Sequence, residues 1–141
     1  MGLFGPPKMF RIRDFTMPCT PDEAMDVLRS TPDYVQKDPL RTTSAFGDLL
    51  ASYDSAGAPL RETVYVDNLR SYGFDVVAGN RARTYWRLRL SLAGSMPVRG
   101  VFEPVEVNDS SKWQGNVMQM VFALDHAVLS VGGSRGKWPE P

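Results

Sequence analysis

The chain has 141 residues, of which 43% are hydrophobic and 23% are charged, and its 16 basic residues balance 16 acidic ones. This length and composition are typical of one folded domain and exclude a largely disordered chain. The zero net charge makes a nucleic-acid partner unlikely on physical grounds, since such proteins usually carry a basic excess.

Cysteine and histidine usage limits the chemistry further. Cys19 is the only cysteine and His126 the only histidine, so an internal disulfide, a cysteine metal cage and a two-histidine metal site are excluded. No apolar run approaches the roughly 18 residues that a membrane span needs. We therefore expect a soluble protein without a cofactor, compatible with a reducing compartment such as the cytoplasm or an organelle interior.

The N-terminal part predicts a tail, a strand and a helix. Glycine and prolines predict a loose tail over residues 1–7, and alternating apolar and basic residues predict a strand over residues 8–17. Thr20 is followed by a proline and, three positions on, by Glu23, which is the pattern of a helix N-cap with a capping box. A helix is therefore expected to run to about Ser30.

A loop over residues 31–40 is followed by a second, weaker helix over residues 43–53, where apolar residues recur at helical spacing. From residue 60 the apolar period changes to two, which predicts strands. We place them at 60–67, 70–78, 82–92, 96–107, 113–124 and 126–131.

Short connections between these strands predict an antiparallel meander. The expected fold is thus α+β, with an N-terminal strand and one or two helices packed on a curved antiparallel sheet of about six strands, shaped as a half-open barrel or cone. It would form a single domain over residues 8–131, followed by a C-terminal tail over residues 132–141.

The strand near residues 82–92 has two unlike faces, one apolar and one basic. The basic face carries Arg81, Arg83, Tyr85, Arg87 and Arg89, and the apolar face carries Trp86, Leu88, Leu90 and Leu92. A row of guanidinium groups suits an anion or an acidic protein surface. It is also explained by internal pairing, because a tight turn at residues 93–95 would place Phe102 opposite Trp86 and Glu103 opposite Tyr85.

Later strands appear apolar on both faces, with Met118, Met120 and Phe122 on one face and valines on the other. A sheet that is apolar on both faces is covered on both sides. The N-terminal helices can cover one face, and the other face would be covered by a barrel interior, a bound apolar ligand or a partner subunit. The alternative is that these residues simply fill the core of the domain.

Two segments resemble parts of known families. The opening strand with the segment from Thr20 to Leu28 resembles the start of helix-grip lipid-binding domains of the START type, and the run from Leu124 to Gly136 resembles the closing segment of plastid lipid-associated proteins. The element order is also similar to that of cone-like sheets of the NTF2 type. Each resemblance covers a small part of the chain, and fold analogy implies no particular site residues.

These patterns favour a non-enzymatic binding or assembly module whose sheet contacts a protein partner, a second copy of the chain, or a small apolar ligand. The candidate binding residues are Arg83, Tyr85, Trp86, Arg87, Phe102, Glu103, Met118, Met120 and Phe122. The alternative is a small cavity enzyme, an isomerase or hydrolase, in which a carboxylate such as Glu103 acts with Tyr85 or His126. Cys19, just ahead of a helix, is expected to be structural.

Overall fold

The computed structural model describes residues 8–32, 44–136 and 138, so the tail expected at residues 1–7 and most of the loop expected at 31–40 lie outside the described residues. The chain starts with a short 3-10 turn, Lys8–Phe10. The elements that follow are β1 (Arg13–Met17), α1 (Pro21–Ser30), α2 (Ala45–Ala51), β2 (Thr63–Arg70), β3 (Gly73–Gly79), β4 (Thr84–Ala93), β5 (Val98–Val107), α3 (Gln114–Ser130) and β6 (Ser134–Arg135).

The six strands form one antiparallel sheet in the order β2-β3-β4-β5-β1-β6. The α+β class and the N-terminal strand are therefore confirmed. The sheet is neither closed nor strongly curled, so the curved half-open barrel is not what the chain forms. β2 lies at one end of the sheet, where its outer edge has no strand beside it in the described part of the chain.

Both predicted helices near the N-terminus are confirmed. In α1 the Glu23 amide donates to the Thr20 hydroxyl at 3.2 Å, and the Glu23 carboxylate accepts from the Thr20 amide at 3.4 Å, which completes the capping box. In α2 the Gly47 amide donates to the Ser44 hydroxyl at 2.9 Å, and that hydroxyl also donates to the Leu28 carbonyl. The start of α2 is thereby tied to the end of α1.

The helices pack on one face of the sheet, called here the inner face. Phe46 of α2 makes edge-to-face contacts with Phe74 and Phe102, each with ring centroids 5.8 Å apart. Apolar side chains of all three helices share one core with the inward residues of β1 to β5. The face away from the helices, called the outer face, carries the opposite set of side chains.

The strands predicted at residues 113–124 and 126–131 are wrong, because this segment is the helix α3. Its buried residues Val117, Met120, Val121, Ala123, Leu124, Ala127 and Val128 recur largely at three- and four-residue spacing. Met118 and Phe122 make the helix apolar on nearly every side, so every second residue is apolar as well and the pattern mimics a strand. Over the described ranges, no helix combines the length and apolar character needed to cross a bilayer.

The hairpin between β4 and β5 is longer than expected. Leu90 pairs with Phe102 and Arg89 with Glu103, so the register near the turn differs from the prediction by four residues. A bulge between Arg87 and Leu88 adds one more, which places Trp86 opposite Val107. The turn occupies residues 94–97, where Gly94 and Met96 take positive φ angles of 76° and 48°. Because four is an even number, the side chains of residues 88–93 and of their partners keep their expected faces. The bulge adds one residue, so Val107 turns to the inner face, where it packs against the core, and Glu106 turns to the outer face opposite Arg87.

Part of the C-terminal segment adds to the sheet beside β1. Ser134 and Arg135 pair with Thr16 and Phe15. The Gly136 amide and the Trp138 indole N–H both donate to the Asp14 carbonyl, at 2.9 and 2.7 Å. A Cβ on Gly136 would lie 2.0 Å from an Asp14 carboxylate oxygen, so a larger residue here would require the exposed Asp14 side chain to move.

Candidate functional site

The outer face of β4 carries fewer arginines than the sequence predicted. The strand starts at Thr84, which leaves Arg81 and Arg83 in the turn before it. Arg87 and Arg89 remain on the strand, and both point at a carboxylate of the neighbouring strand β3. The predicted row of four guanidinium groups along the strand is therefore wrong.

That carboxylate belongs to Asp75, whose side chain is fully buried. Arg89 binds it through Nε at 2.8 Å and Nη2 at 3.0 Å, and Arg87 donates from Nη1 at 2.8 Å. Arg70 adds a longer contact of 3.6 Å, and the other nitrogen of Arg87 donates to Asp67 at 2.9 Å. These five residues, Asp67, Arg70, Asp75, Arg87 and Arg89, form what we call the outer-face ion cluster.

Electrostatics keep Asp75 ionised inside this cluster. Burial by itself would raise the pKa of the carboxyl, but the hydrogen bonds from Arg89 and Arg87 outweigh it and hold the pKa below its ordinary value. The pKa of Arg87 is raised, because hydrogen bonds to Asp75 and Asp67 outweigh the burial that would lower it. A carboxylate held in this way supports the sheet and is a poor proton acceptor.

The sequence predicted that Glu103 neutralises part of the arginine row from a position opposite Tyr85. Its charge does help to raise the pKa of Arg89, after the hydrogen bond and charge of Asp75, but its position in the sheet is different. Glu103 lies opposite Arg89 on β5, half-buried, while the hydrogen bonds of Arg89 go to Asp75. In the next row Val77 lies between Tyr65 and Arg87 and is fully buried, although it is on the outer face. Long side chains that lie flat across the sheet therefore cover its centre.

Tyr85 lies at a bulge, since Ala78 pairs with Trp86 but Gly79 pairs with Thr84. The Arg83 guanidinium lies 4.9 Å and the Lys112 ammonium 5.6 Å from the centre of its ring. The pKa of its hydroxyl is raised, first by a hydrogen bond with Glu62 and then by burial. Tyr85 is thus enclosed by its own chain.

The apolar candidates are mostly core residues. Trp86, Phe102 and Met120 are each at most 2% exposed, and the Trp86 indole donates to the Lys112 carbonyl at 2.8 Å. Met118 and Phe122 are half-buried on α3 and belong to no strand. The sheet-lined apolar site expected from these residues is therefore not formed.

The groups of the enzymatic alternative are not brought together. Glu103 is on the outer face, whereas His126 is on a helix that packs against the inner face. Asp125, beside His126, pairs with Arg135 at 3.0 Å. Cys19 is buried, and burial followed by the charge of Glu23 raises the pKa of its thiol, so the helix start does not activate it.

A cleft of about 430 Å³ lies between the C-terminal half of α2, the loop that follows it, and β2. Its volume is within the range of small-ligand sites. The lining residues are Asp48, Leu49, Ser52, Tyr53, Asp54, Ala56, Gly57, Ala58, Pro59, Thr63, Val64, Tyr65, Val66 and Arg81. Leu49, Val64 and Val66 provide an apolar floor that is continuous with the core.

The loop of the cleft is held at two points. Arg81 donates from Nε to the Ala58 carbonyl at 2.7 Å and from its amide to the Pro59 carbonyl at 3.0 Å. Asp54 accepts the Ala56 amide at 2.9 Å, which closes a turn at the other end of the loop. Contacts within the chain therefore hold the cleft wall in place at both ends of the loop.

Tyr65 joins the cleft to the outer-face ion cluster. It lines the cleft and shares a row of the sheet with Val77 and Arg87, and Asp67, which pairs with Arg87, is two residues further along β2. The pKa of its hydroxyl is raised, first by burial and then by the charge of Asp67. At neutral pH Tyr65 is thus a neutral donor and acceptor at the rim.

The sequence did not point to this cleft. Its residues come from three segments, at positions 48–59, 63–66 and 81, and none of the candidate binding residues lines it. One feature of the sequence does mark its position, the turn-rich connection at residues 55–59, which predicts a loop between a helix and a strand but no cleft.

Comparison with protein-family models, curated proteins and solved structures finds no match to this chain. The resemblances noted in the sequence therefore receive no support from these comparisons. Among the described residues, no three His, Cys, Asp or Glu side chains are grouped closely enough to hold a metal ion.

Proposed function

We propose that this protein is a non-enzymatic binding module whose binding site is the cleft between α2 and β2. The observation that carries the proposal is the cleft itself, which combines an apolar floor with a polar rim and has the volume of a small-ligand site. Its ligand is expected to insert an apolar group between Leu49 and Val64.

The contrast with the outer face supports this choice of site. The charges of the outer-face ion cluster are engaged with one another, so that face offers few groups for a ligand. The rim of the cleft instead carries Tyr53 and Thr63, whose hydroxyls suit hydrogen bonding to a bound molecule, and Ser52, whose hydroxyl donates to the Asp48 carbonyl at 3.0 Å and can still accept.

The proposal is tested by filling the cleft. Val64→Trp places a large side chain on the cleft floor, and Leu69→Trp is the matched control, because Leu69 is on the same strand but outside the cleft. The probe is N-phenyl-1-naphthylamine, a neutral apolar dye whose fluorescence rises when it leaves water. We expect wild type and Leu69→Trp to bind the dye alike, and Val64→Trp to bind at least tenfold more weakly.

Two results would overturn the proposal. Either the wild-type chain fails to bind the dye, or Val64→Trp binds it as well as wild type does. Amide chemical shifts in the presence of the dye give an independent check, because the shifts that move must belong to the cleft residues.

A second candidate is self-assembly through α3. Met118, Phe122 and Leu129 lie within one side of this helix, and Leu129 is 53% exposed. A second copy of the chain would cover this side. Light scattering after size exclusion tests it: a dimer that Phe122→Glu converts to a monomer supports this candidate, and a wild-type monomer at high concentration rejects it.

A further inference from the structure

We infer that the occupant of the cleft is an extended peptide segment of a partner protein, which adds as a strand to the open edge of β2. The inference rests on the proposed function and specifies the ligand of the same site. The expected peptide alternates apolar side chains, which enter the cleft, with outward ones, and carries a basic residue near the rim.

The first argument is the open edge of β2. In the described part of the chain β2 pairs with β3 alone, and no backbone group of residues 63–67 bonds to a described loop or helix. In an antiparallel pair every second residue directs its N–H and C=O away from the partner strand. These groups form a ready template for one more strand.

The second argument is that the open edge and the cleft coincide. Four consecutive residues of β2, at positions 63–66, line the cleft, which gives an edge about 13 Å long. Val64 and Val66 direct their side chains to the inner face, where they belong to the same core as Leu49 and Tyr53. A strand added here would direct every second side chain to the same apolar floor.

The third argument is that β2 offers only a limited length of regular edge. The pairing with β3 is regular from Thr63 to Asp67 and then shifts, and Asn68 takes a positive φ of 51°. A bulge ends strand addition because it turns the following backbone groups away. The length of the regular edge therefore matches the part that lines the cleft.

Charge sets the expected chemistry of the peptide. Asp54 lines the cleft with an exposed carboxylate, whose one described hydrogen bond comes from the Ala56 amide. The Arg81 Nε is already engaged with the Ala58 carbonyl. A lysine or arginine of the peptide near Asp54 is therefore favoured over an acidic residue, by about threefold in affinity at this exposed site.

The test starts with a phage-displayed library of seven-residue peptides, selected on the full wild-type chain and counter-selected on Val64→Trp. We expect enriched peptides to alternate apolar residues and to contain Lys or Arg. Their affinity should fall by about threefold on Asp54→Asn and should be unchanged on the control Leu69→Trp.

The decisive step uses backbone methylation of the best peptide. Two versions are made, one with N-methyl groups at odd positions and one at even positions. Strand addition predicts that affinity falls at least tenfold when the methyl groups replace the N–H hydrogens that face β2. The other version, methylated on the N–H groups that face away, should retain its affinity. Equal loss in both versions, or no loss in either, would overturn the inference.

The remaining outcomes are also informative. If no peptide is enriched but the naphthylamine dye still binds wild type and not Val64→Trp, the peptide is wrong and the proposed function stands. If the dye fails as well, both are wrong. A wild-type dimer that Val64→Trp dissociates would show that the edge pairs with a second copy, which also overturns the inference.

Discussion

The outer-face ion cluster and the cleft are neighbours that share the strand β2, yet they use polar side chains in opposite ways. In the cluster, Asp75 is fully buried and its oxygens accept hydrogen bonds from Arg87 and Arg89 at 2.8 to 3.0 Å. In the cleft, Asp54 closes a local turn through a single described hydrogen bond, to the Ala56 amide, and is exposed. Charge that is satisfied within the fold stabilises the sheet, whereas we propose that the polar groups at the rim serve a ligand.

This difference explains why the most noticeable charged residues are not proposed as the site. A guanidinium already bound to a buried carboxylate binds a second anion only if the first contact weakens, and that leaves a buried charge unpaired. The binding function is therefore assigned to mostly neutral residues beside the cluster.

The largest effect is expected from Asp75→Asn. The amide cannot neutralise Arg87 and Arg89, so these partly buried cations lose their counter-ion, and the free energy of unfolding should fall by about 3 kcal/mol. Urea denaturation measures it. Asp67→Asn is the matched control, because the Asp67 side chain is 40% exposed, and its loss should stay below about 1 kcal/mol. Equal losses in the two variants would mean that the cluster does not depend on the buried carboxylate.

Lowering the pH should gradually remove the stabilisation that the ionised Asp75 side chain provides. The pKa of Asp75 is lowered in the folded protein, so its stabilisation is complete above the unfolded value of about 3.9 and is lost as the pH falls through the lower folded value. The difference in unfolding free energy between wild type and Asp75→Asn should therefore shrink between pH 6 and pH 2.5. A difference that stays constant over this range would contradict the assigned ionisation.

A smaller effect is expected from Arg87→Lys. The guanidinium bridges Asp75 and Asp67 with two separate nitrogens, at 2.8 and 2.9 Å, and an ammonium cannot reproduce this planar geometry. We expect a loss of about 1.5 kcal/mol in urea denaturation, with dye binding to the cleft unchanged. If dye affinity falls together with stability, the cluster and the cleft are coupled through Tyr65 rather than independent.

Local signals in the sequence were sufficient for part of the fold. Thr20 and Glu23 determine the start of α1 by contacts within four residues, which is why the helix could be predicted. The shifted hairpin between β4 and β5 preserved the faces near the turn because the shift there was even, and only the bulge beyond Leu88 changed the faces of Glu106 and Val107. The segment that became α3 was mispredicted for a physical reason: with Met118 and Phe122 apolar as well, the polar side of the helix is narrow, and the apolar pattern fits both periods.

The candidate site was harder to predict because it depends on contacts between distant segments. Asp75 interrupts an apolar run from Phe74 to Ala78, which was a signal of a buried charge, but its partners follow only from the pairing of β3 with β4. The cleft depends on the placement of α2 beside β2 and on Arg81 holding the loop, and no periodicity in the sequence reports either.

The smallest effect on stability, and the sharpest contrast with Asp75, is expected from Asp54→Asn. The variant retains an oxygen that accepts the Ala56 amide and removes only an exposed charge, so the free energy of unfolding should change by less than about 0.5 kcal/mol. Its effect should appear instead in binding, as the threefold weaker affinity for a basic peptide, measured by fluorescence anisotropy at low salt and reduced at high salt. The two substitutions would then have opposite effects, because Asp75→Asn lowers stability and Asp54→Asn lowers only the affinity for the ligand. If Asp54→Asn destabilises the protein as Asp75→Asn does, the rim of the cleft is part of the structural network, and the distinction between the two regions fails.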